Sequence, residues 1–217
     1  MENVTNQWID PIRAQINTLL ASHCMPALVG WKPANLINVN KCKIPDGTVF
    51  ITILREQIQA FPVRVEIIYE NQTMLLLLLF RETFIRRYLA VKESRELLML
   101  YGYEVWEEPD VILKQWKERY RRYKEEGEEF PHEIGLLLGY PPEDVAGYIN
   151  HQGKDYLLCG FWKVYHNISQ AEALFQCYRN LRSKALQLTA EGRSLQEIMN
   201  FYDRKEAGIF IGGLKGE

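Results

Sequence analysis

An α+β fold, built as a small mainly antiparallel sheet covered by several helices, is predicted by three features of the sequence. Residues 63–80 read as a β-hairpin, and residues 156–165 read as a distant strand rich in aromatics. The segments around them carry apolar residues at the three-to-four spacing of helix faces. Strands and helices alternate too irregularly for a doubly wound parallel sheet. Residues 1–207 are assigned to one domain, and the glycine-rich stretch 208–217 to a flexible tail.

Each element follows from local chemistry. Trp8, Ile9, Ile12, Ile16, Leu19 and Leu20 mark a helix over 5–22, with Asp10-Pro11 as a cap and first-turn pair. Pro26, Gly30 and Pro33 punctuate the next segment, which reads as a loop entering an extended piece near Leu36–Val39. Apolar residues at 50, 51, 54 and 58 favour a helix over 48–60. In the hairpin, residues 63–69 alternate in part, Asn71-Gln72 supplies the turn, and Met74–Phe80 is apolar throughout. A strand with no polar side belongs in the interior of a sheet.

Helices are then expected over 83–101, closed by Gly102, and over 108–126, where charges flank a narrow apolar stripe. Residues 130–149 read as two short helices divided at Gly139, the second opened by Pro141-Pro142. After the aromatic strand comes a long helix over 168–189. A shorter one follows Ser194, with Glu197 at the capping-box spacing.

Composition removes several function classes. The chain has 217 residues, 26 Lys+Arg, 28 Asp+Glu and 47% hydrophobic content, which excludes bulk disorder and a globally basic nucleic-acid binder. The mixed charges of Lys114–Glu129 read as a solvated helix face, not a phosphate-binding patch. The run Met74–Phe80 is far shorter than the ~20 apolar residues of a bilayer span. The first residues show no basic stretch leading into an apolar one, so a cytoplasmic location is expected. Four cysteines (Cys24, Cys42, Cys159, Cys177) are too few for a disulfide scaffold and are expected as free thiols.

Familiar catalytic spacings are missing. His132-Glu133 opens like a zinc-protease motif, but Leu136 stands where the second histidine is required. There is no C-x-x-C pair and no G-x-S-x-G elbow, and Gly212-Gly213-Leu-Lys215 lacks the length and hydroxyl of a phosphate loop. The remaining candidates are individual side chains. Cys159, beside Gly160, is a candidate nucleophile or soft ligand, against its reading as a buried apolar thiol. His132, in a helix first turn, is a candidate base, with Glu133 to orient it, against capping and dipole roles for both. Cys24 with Lys32 in the Pro/Gly-rich loop, Tyr140, and Lys163 among aromatics are candidate ligand contacts. Lys163 suits an anion or a cation–π pair, and equally a side chain snorkelling at a sheet edge.

The block His132-Glu133-Ile-Gly135-Leu-Leu-Leu-Gly139-Tyr140-Pro141-Pro-Glu-Asp144-Val145, followed by Cys159-Gly160-Phe-Trp162-Lys163-Val-Tyr165, resembles an uncharacterised bacterial family. That family is a domain of unknown function seen mostly in anaerobes. The segment from Cys24 to Leu36 looks like its N-terminal motif, departing at Met25 and Asn35, where smaller residues are the expectation. The resemblance spans about residues 10 to 190. It implies a free-standing cytoplasmic protein and carries over no activity.

Two readings of function follow. In the first, the protein binds a small molecule, a small anion or a metal ion, with a thiol/imidazole site built from Cys159 or Cys24, His132, Glu133 and Lys163. In the second it is a non-enzymatic interaction or assembly module presenting its aromatic strand 156–165 and the helices 108–126 and 168–189, with a homo-oligomer allowed. No cofactor, metal or reaction is named by the sequence, membrane is excluded as a partner, and nucleic acid is disfavoured.

Overall fold

Residues 2–104 and 108–203 are described by a computed structural model, with side chains from 9 to 202. Trp8 and the tail 208–217 therefore lie outside the described side chains. The described residues divide into two compact units, the first from 2–31, 35–80 and 180–203, the second from 32–34, 81–104 and 108–179.

The first unit is organised by its most apolar strand. β3 (Met74–Phe80) lies between β1 (Ala34–Asn40) and β2 (Arg64–Glu70) in the order β1-β3-β2, and its residues 75–80 are all buried. β2 pairs antiparallel with β3, setting Val65 against Leu79 and Ile67 against Leu77. Their turn is fixed by Asn71, whose Oδ1 accepts from the backbone N–H of Thr73 (2.9 Å) and Met74 (2.8 Å).

Helices cover this sheet. α1 (Glu2–His23) contributes Ile12, Ile16 and Leu20, spaced four apart on one face. Pro11 lies within α1 and does not open it, so the helix begins earlier than the cap signal predicts. α3 (Gly47–Ile58) starts where Asp46 Oδ1 accepts from Val49 N at 2.8 Å. The segment expected as a loop contains a one-turn helix, α2 (Met25–Leu28), with Pro26 in its first turn. Its four side chains are buried, and burial of that apolar run outweighs the loop signal of the prolines and glycine. α10 (Leu195–Asp203) and the second half of α9 (Ile168–Ala190) complete the unit. At α10 the capping box forms as expected: Ser194 N donates to Glu197 Oε2 at 2.9 Å, and Glu197 N donates to Ser194 Oγ at 3.3 Å.

The second unit is mostly helical. The helix expected over 83–101 is two, α4 (Glu82–Leu89) and α5 (Lys92–Leu100), separated at Val91, whose backbone is extended. The apolar stripe breaks between Leu89 and Leu97, where the one buried side chain is Ser94, so no buried apolar contact holds a continuous helix there. α6 (Pro109–Glu126) ends at Gly127 in the left-handed conformation. α7 (Ile134–Leu137) and α8 (Pro142–Asn150) flank Gly139, as the glycine and proline pair predict.

The expected strand 156–165 is instead a tight hairpin, β4 (Leu158–Cys159) against β5 (Lys163–Val164), in a two-stranded sheet of its own. Gly160 lies between the two strands. A Cβ there would stand 2.2 Å from the Phe175 ring, so the space beside this glycine is taken by a side chain of the protein itself. The α+β class holds, with β1 as the third strand of the main sheet in place of 156–165. No helix among the described residues is long and apolar enough to cross a membrane.

Candidate functional site

The second unit contains a cleft of about 280 Å³ lined by Tyr88, Val91, Pro141, Pro142, Trp162 and Leu174 on its less polar side. Glu93, Glu143, Asp144, His166, Asn167 and Gln170 supply its polar atoms. The volume is near the lower end of the ~300–1,000 Å³ typical of small-molecule sites. All of its lining residues belong to the second unit.

Asp144 builds this wall. It sits in the first turn of α8, placed there by Pro141 and Pro142, and is only 3% exposed. Its Oδ2 accepts from Trp162 Nε1 at 2.7 Å, and its Oδ1 accepts from the backbone N–H of Tyr165 (2.7 Å) and His166 (3.0 Å). A buried carboxylate is tolerated when donors replace its lost water, and bonds to a charged acceptor contribute about 1.5–3 kcal/mol each. One side chain thereby ties the hairpin and the approach to α9 onto α8. Asn167 then caps α9, its Oδ1 accepting from Gln170 N at 3.1 Å.

Aromatic packing fixes the other side of Trp162. Its ring stacks on Tyr140 (5.1 Å between centroids, 25° between planes) and meets Phe175 edge-on at 4.5 Å. Tyr88 donates its hydroxyl to the Tyr140 carbonyl. Burial, then the negative charges of Glu143 and Asp144, push the Tyr88 hydroxyl well above the usual phenol range, so it stays a protonated donor. Gly139, at φ +74°, holds the turn before this wall, where a Cβ would press within 2.4 Å of Pro33 Cδ.

A second polar cluster surrounds Glu133, which is 1% exposed. Its Oε1 accepts from Arg119 Nε at 2.7 Å and from the Tyr103 hydroxyl at 2.8 Å, while Oε2 is buried and has no hydrogen-bond partner among the described residues. Burial and the Glu133 charge raise the Tyr103 hydroxyl far above its ordinary value. The Arg119 guanidinium also covers the Tyr101 ring at 5.2 Å.

Residues 20–199 match the family model described as "Protein of unknown function (DUF3793)". The chain belongs to that family. The match includes every residue lining the cleft and all three motifs on which the resemblance was read. No curated protein and no solved structure matches the chain.

Among these family-matched positions, the candidates read from sequence fall in several places. Cys24 is fully buried in the first unit, at the start of α2. The other six are in the second unit. Lys32, 7% exposed, holds its Nζ 5.3 Å from the Tyr140 ring centroid, so these two candidates do meet. His132 packs between Phe130 (5.1 Å) and Tyr148 (4.8 Å), and burial holds its imidazole below the usual histidine range. Lys163 Nζ donates to the Gly153 carbonyl at 2.6 Å and lies over the rings of Tyr148 and Tyr156. His132 and Lys163 thus share the Tyr148 ring. Cys159 is exposed and pairs with Lys163 across the hairpin. Glu133 is engaged by Arg119 and Tyr103, and none of the seven lines the cleft. Among the described residues no group of three or more His, Cys, Asp or Glu is arranged to hold a metal ion.

Sequence reasoning missed Asp144, Glu93, Glu143 and His166. Asp144 and Glu143 were legible only as first-turn acids after Pro141-Pro142, which any helix start can explain. Their signal was the conjunction of that start with a tryptophan needing an indole partner 18 residues on, at Trp162.

Proposed function

We propose that this protein binds a small molecule, with the cleft beside Asp144 and Trp162 as its site. One observation carries the reading: apolar and aromatic walls converge with a few fixed polar groups, and a buried carboxylate is retained to hold that wall in place. Such groups are costly to bury and gain nothing for packing alone. The cleft's size suits a metabolite and is too small for a dinucleotide. The thiols and the His132 imidazole stand outside it, so the reading is of binding and assigns no reaction.

Two-dimensional NMR with a diverse fragment set tests this, reading the Trp162 indole N–H and the Ala171 and Leu174 methyls. Binding fragments are expected to shift these signals together, and to lose that effect when Ala171, which lines the cleft, is replaced by Phe. Perturbations that map elsewhere, or none at all across the set, would overturn the reading.

A second reading, an interaction module, draws on the exposure of Tyr156, Leu157 and Phe161 together on the β4–β5 hairpin. Sedimentation separates the two. Self-association lost on Leu157→Ser favours this module, and a monomer at all concentrations removes self-association as its basis.

A further inference from the structure

Among the described residues, nothing pairs with the charge facing the cleft. Glu93 and Glu143 stand in the first turns of α5 and α8, and both are exposed. A first-turn acid complements the helix dipole, but that dipole amounts to roughly half a charge against a whole one. Among the described residues neither side chain forms an ion pair or hydrogen bond. The acids of α6 are different: Glu118, Glu125 and Glu126 all lie within 2.8 Å of Arg121. No lysine or arginine is among the residues lining the cleft.

Two further features define what could answer that charge. The charge of Glu143 reaches the interior wall, where it and Asp144 both act on Tyr88. The rest of the wall near them is apolar, with Val91, Pro141, Pro142 and Trp162. A bare metal ion needs several oxygen or nitrogen ligands in a closed shell, and no such group occurs among the described residues. An anion, the ligand expected from Lys163, meets like charge here. What fits both walls is one molecule with a positive end and an apolar body.

We infer that the ligand of this cleft is a small organic cation, a protonated amine on an apolar or aromatic body. Its ammonium lies at Glu93 and Glu143, and its body packs against Trp162 and the Pro141-Pro142 turn. The inference rests on the cleft being a binding site, and it adds the ligand's charge class.

Three probes of one shape test it: 2-phenylethylamine, 2-phenylethanol and 3-phenylpropionate, titrated against the intact protein with the Trp162 indole N–H as readout. The amine is expected to bind at least ~10-fold more tightly than the alcohol, a difference of about 1.4 kcal/mol, and the carboxylate more weakly than either. In the double variant Glu93→Gln/Glu143→Gln the amine's advantage should shrink to about twofold or less, while the alcohol's affinity holds. Added salt should weaken the amine alone. Equal binding of amine and alcohol, or tighter binding of the carboxylate, overturns the charge assignment and leaves the cleft as a binding site. An amine preference that survives the double variant overturns the role of these two glutamates, and the inference with it. If none of the three probes, and no fragment of the wider set, moves Trp162, the binding site itself fails.

Discussion

The two units solve the problem of a folded interior differently. The first buries a continuous aliphatic cluster from α1, α2, α3, the sheet and α10. The second buries Lys32, Ser94, Glu133 and Asp144, which are all of the buried polar or charged residues recorded among the described side chains. Hydrocarbon burial is non-directional and tolerant, so a core like the first specifies a shape and little else. A buried carboxylate demands donors at set distances and angles. Where a protein accepts that demand, the site is a candidate for function, because departures from the simplest packing concentrate at such places. The cleft lies where Asp144 meets that demand.

The contrast can be broken from either side. Leu77 is fully buried in β3, within the aliphatic cluster. Leu77→Ala is expected to give the largest effect, about 3–4 kcal/mol in urea unfolding, since a cavity adds to the lost transfer energy. It should leave the cleft's NMR signals at their wild-type positions when the protein is folded. Asp144→Asn is nearly isosteric and creates no cavity, so its cost is set by weaker, misdirected hydrogen bonds, at about 2–3 kcal/mol. Its distinguishing sign is the Trp162 indole N–H, expected to move upfield as its bond to Oδ2 is weakened. A stability loss under 1 kcal/mol with an unmoved indole resonance would mean Asp144 is not the clamp of this wall.

The same contrast explains what could be read from the sequence. The first unit was legible because its signals are local and periodic: the Asn71 turn, the unbroken Met74–Phe80 run, and the fourfold spacing of Ile12, Ile16 and Leu20. The capping box of Ser194 and Glu197 was legible for the same reason. Misreadings arose where a long-range contact decides a local choice. Residues 156–165 have the composition of a strand, yet they turn back on themselves, with Gly160 packed against the Phe175 ring. Chemistry was harder still. Reactive residue types drew attention to Cys24 and Glu133, whereas Asp144 looked like any acid at a helix start. Its donors, Trp162, Tyr165 and His166, come from 18 to 22 residues away, and only folding brings them to it.

His132 offers the finest probe of the second unit, through pH instead of truncation. Burial between Phe130 and Tyr148 lowers its proton affinity, and the charges of Glu129 and Glu133 only partly oppose that. The unfolded chain therefore binds the proton more readily than the folded one. By linkage, the stability associated with neutral His132 is complete above the ordinary value of 6.5. It is lost progressively as pH falls below that point toward the lowered folded value. His132→Phe keeps an aromatic ring in the stack and removes the titration. Urea midpoints of the two proteins should thus differ by a fixed amount above about pH 7.5, where histidine is uncharged in both states. As the pH is lowered to 5.5, that difference should shift in favour of the variant. Parallel curves across this range would show that the imidazole is as well solvated in the folded protein as in the unfolded chain. The stack on Tyr148 would then be a surface contact and not part of the unit's buried polar design.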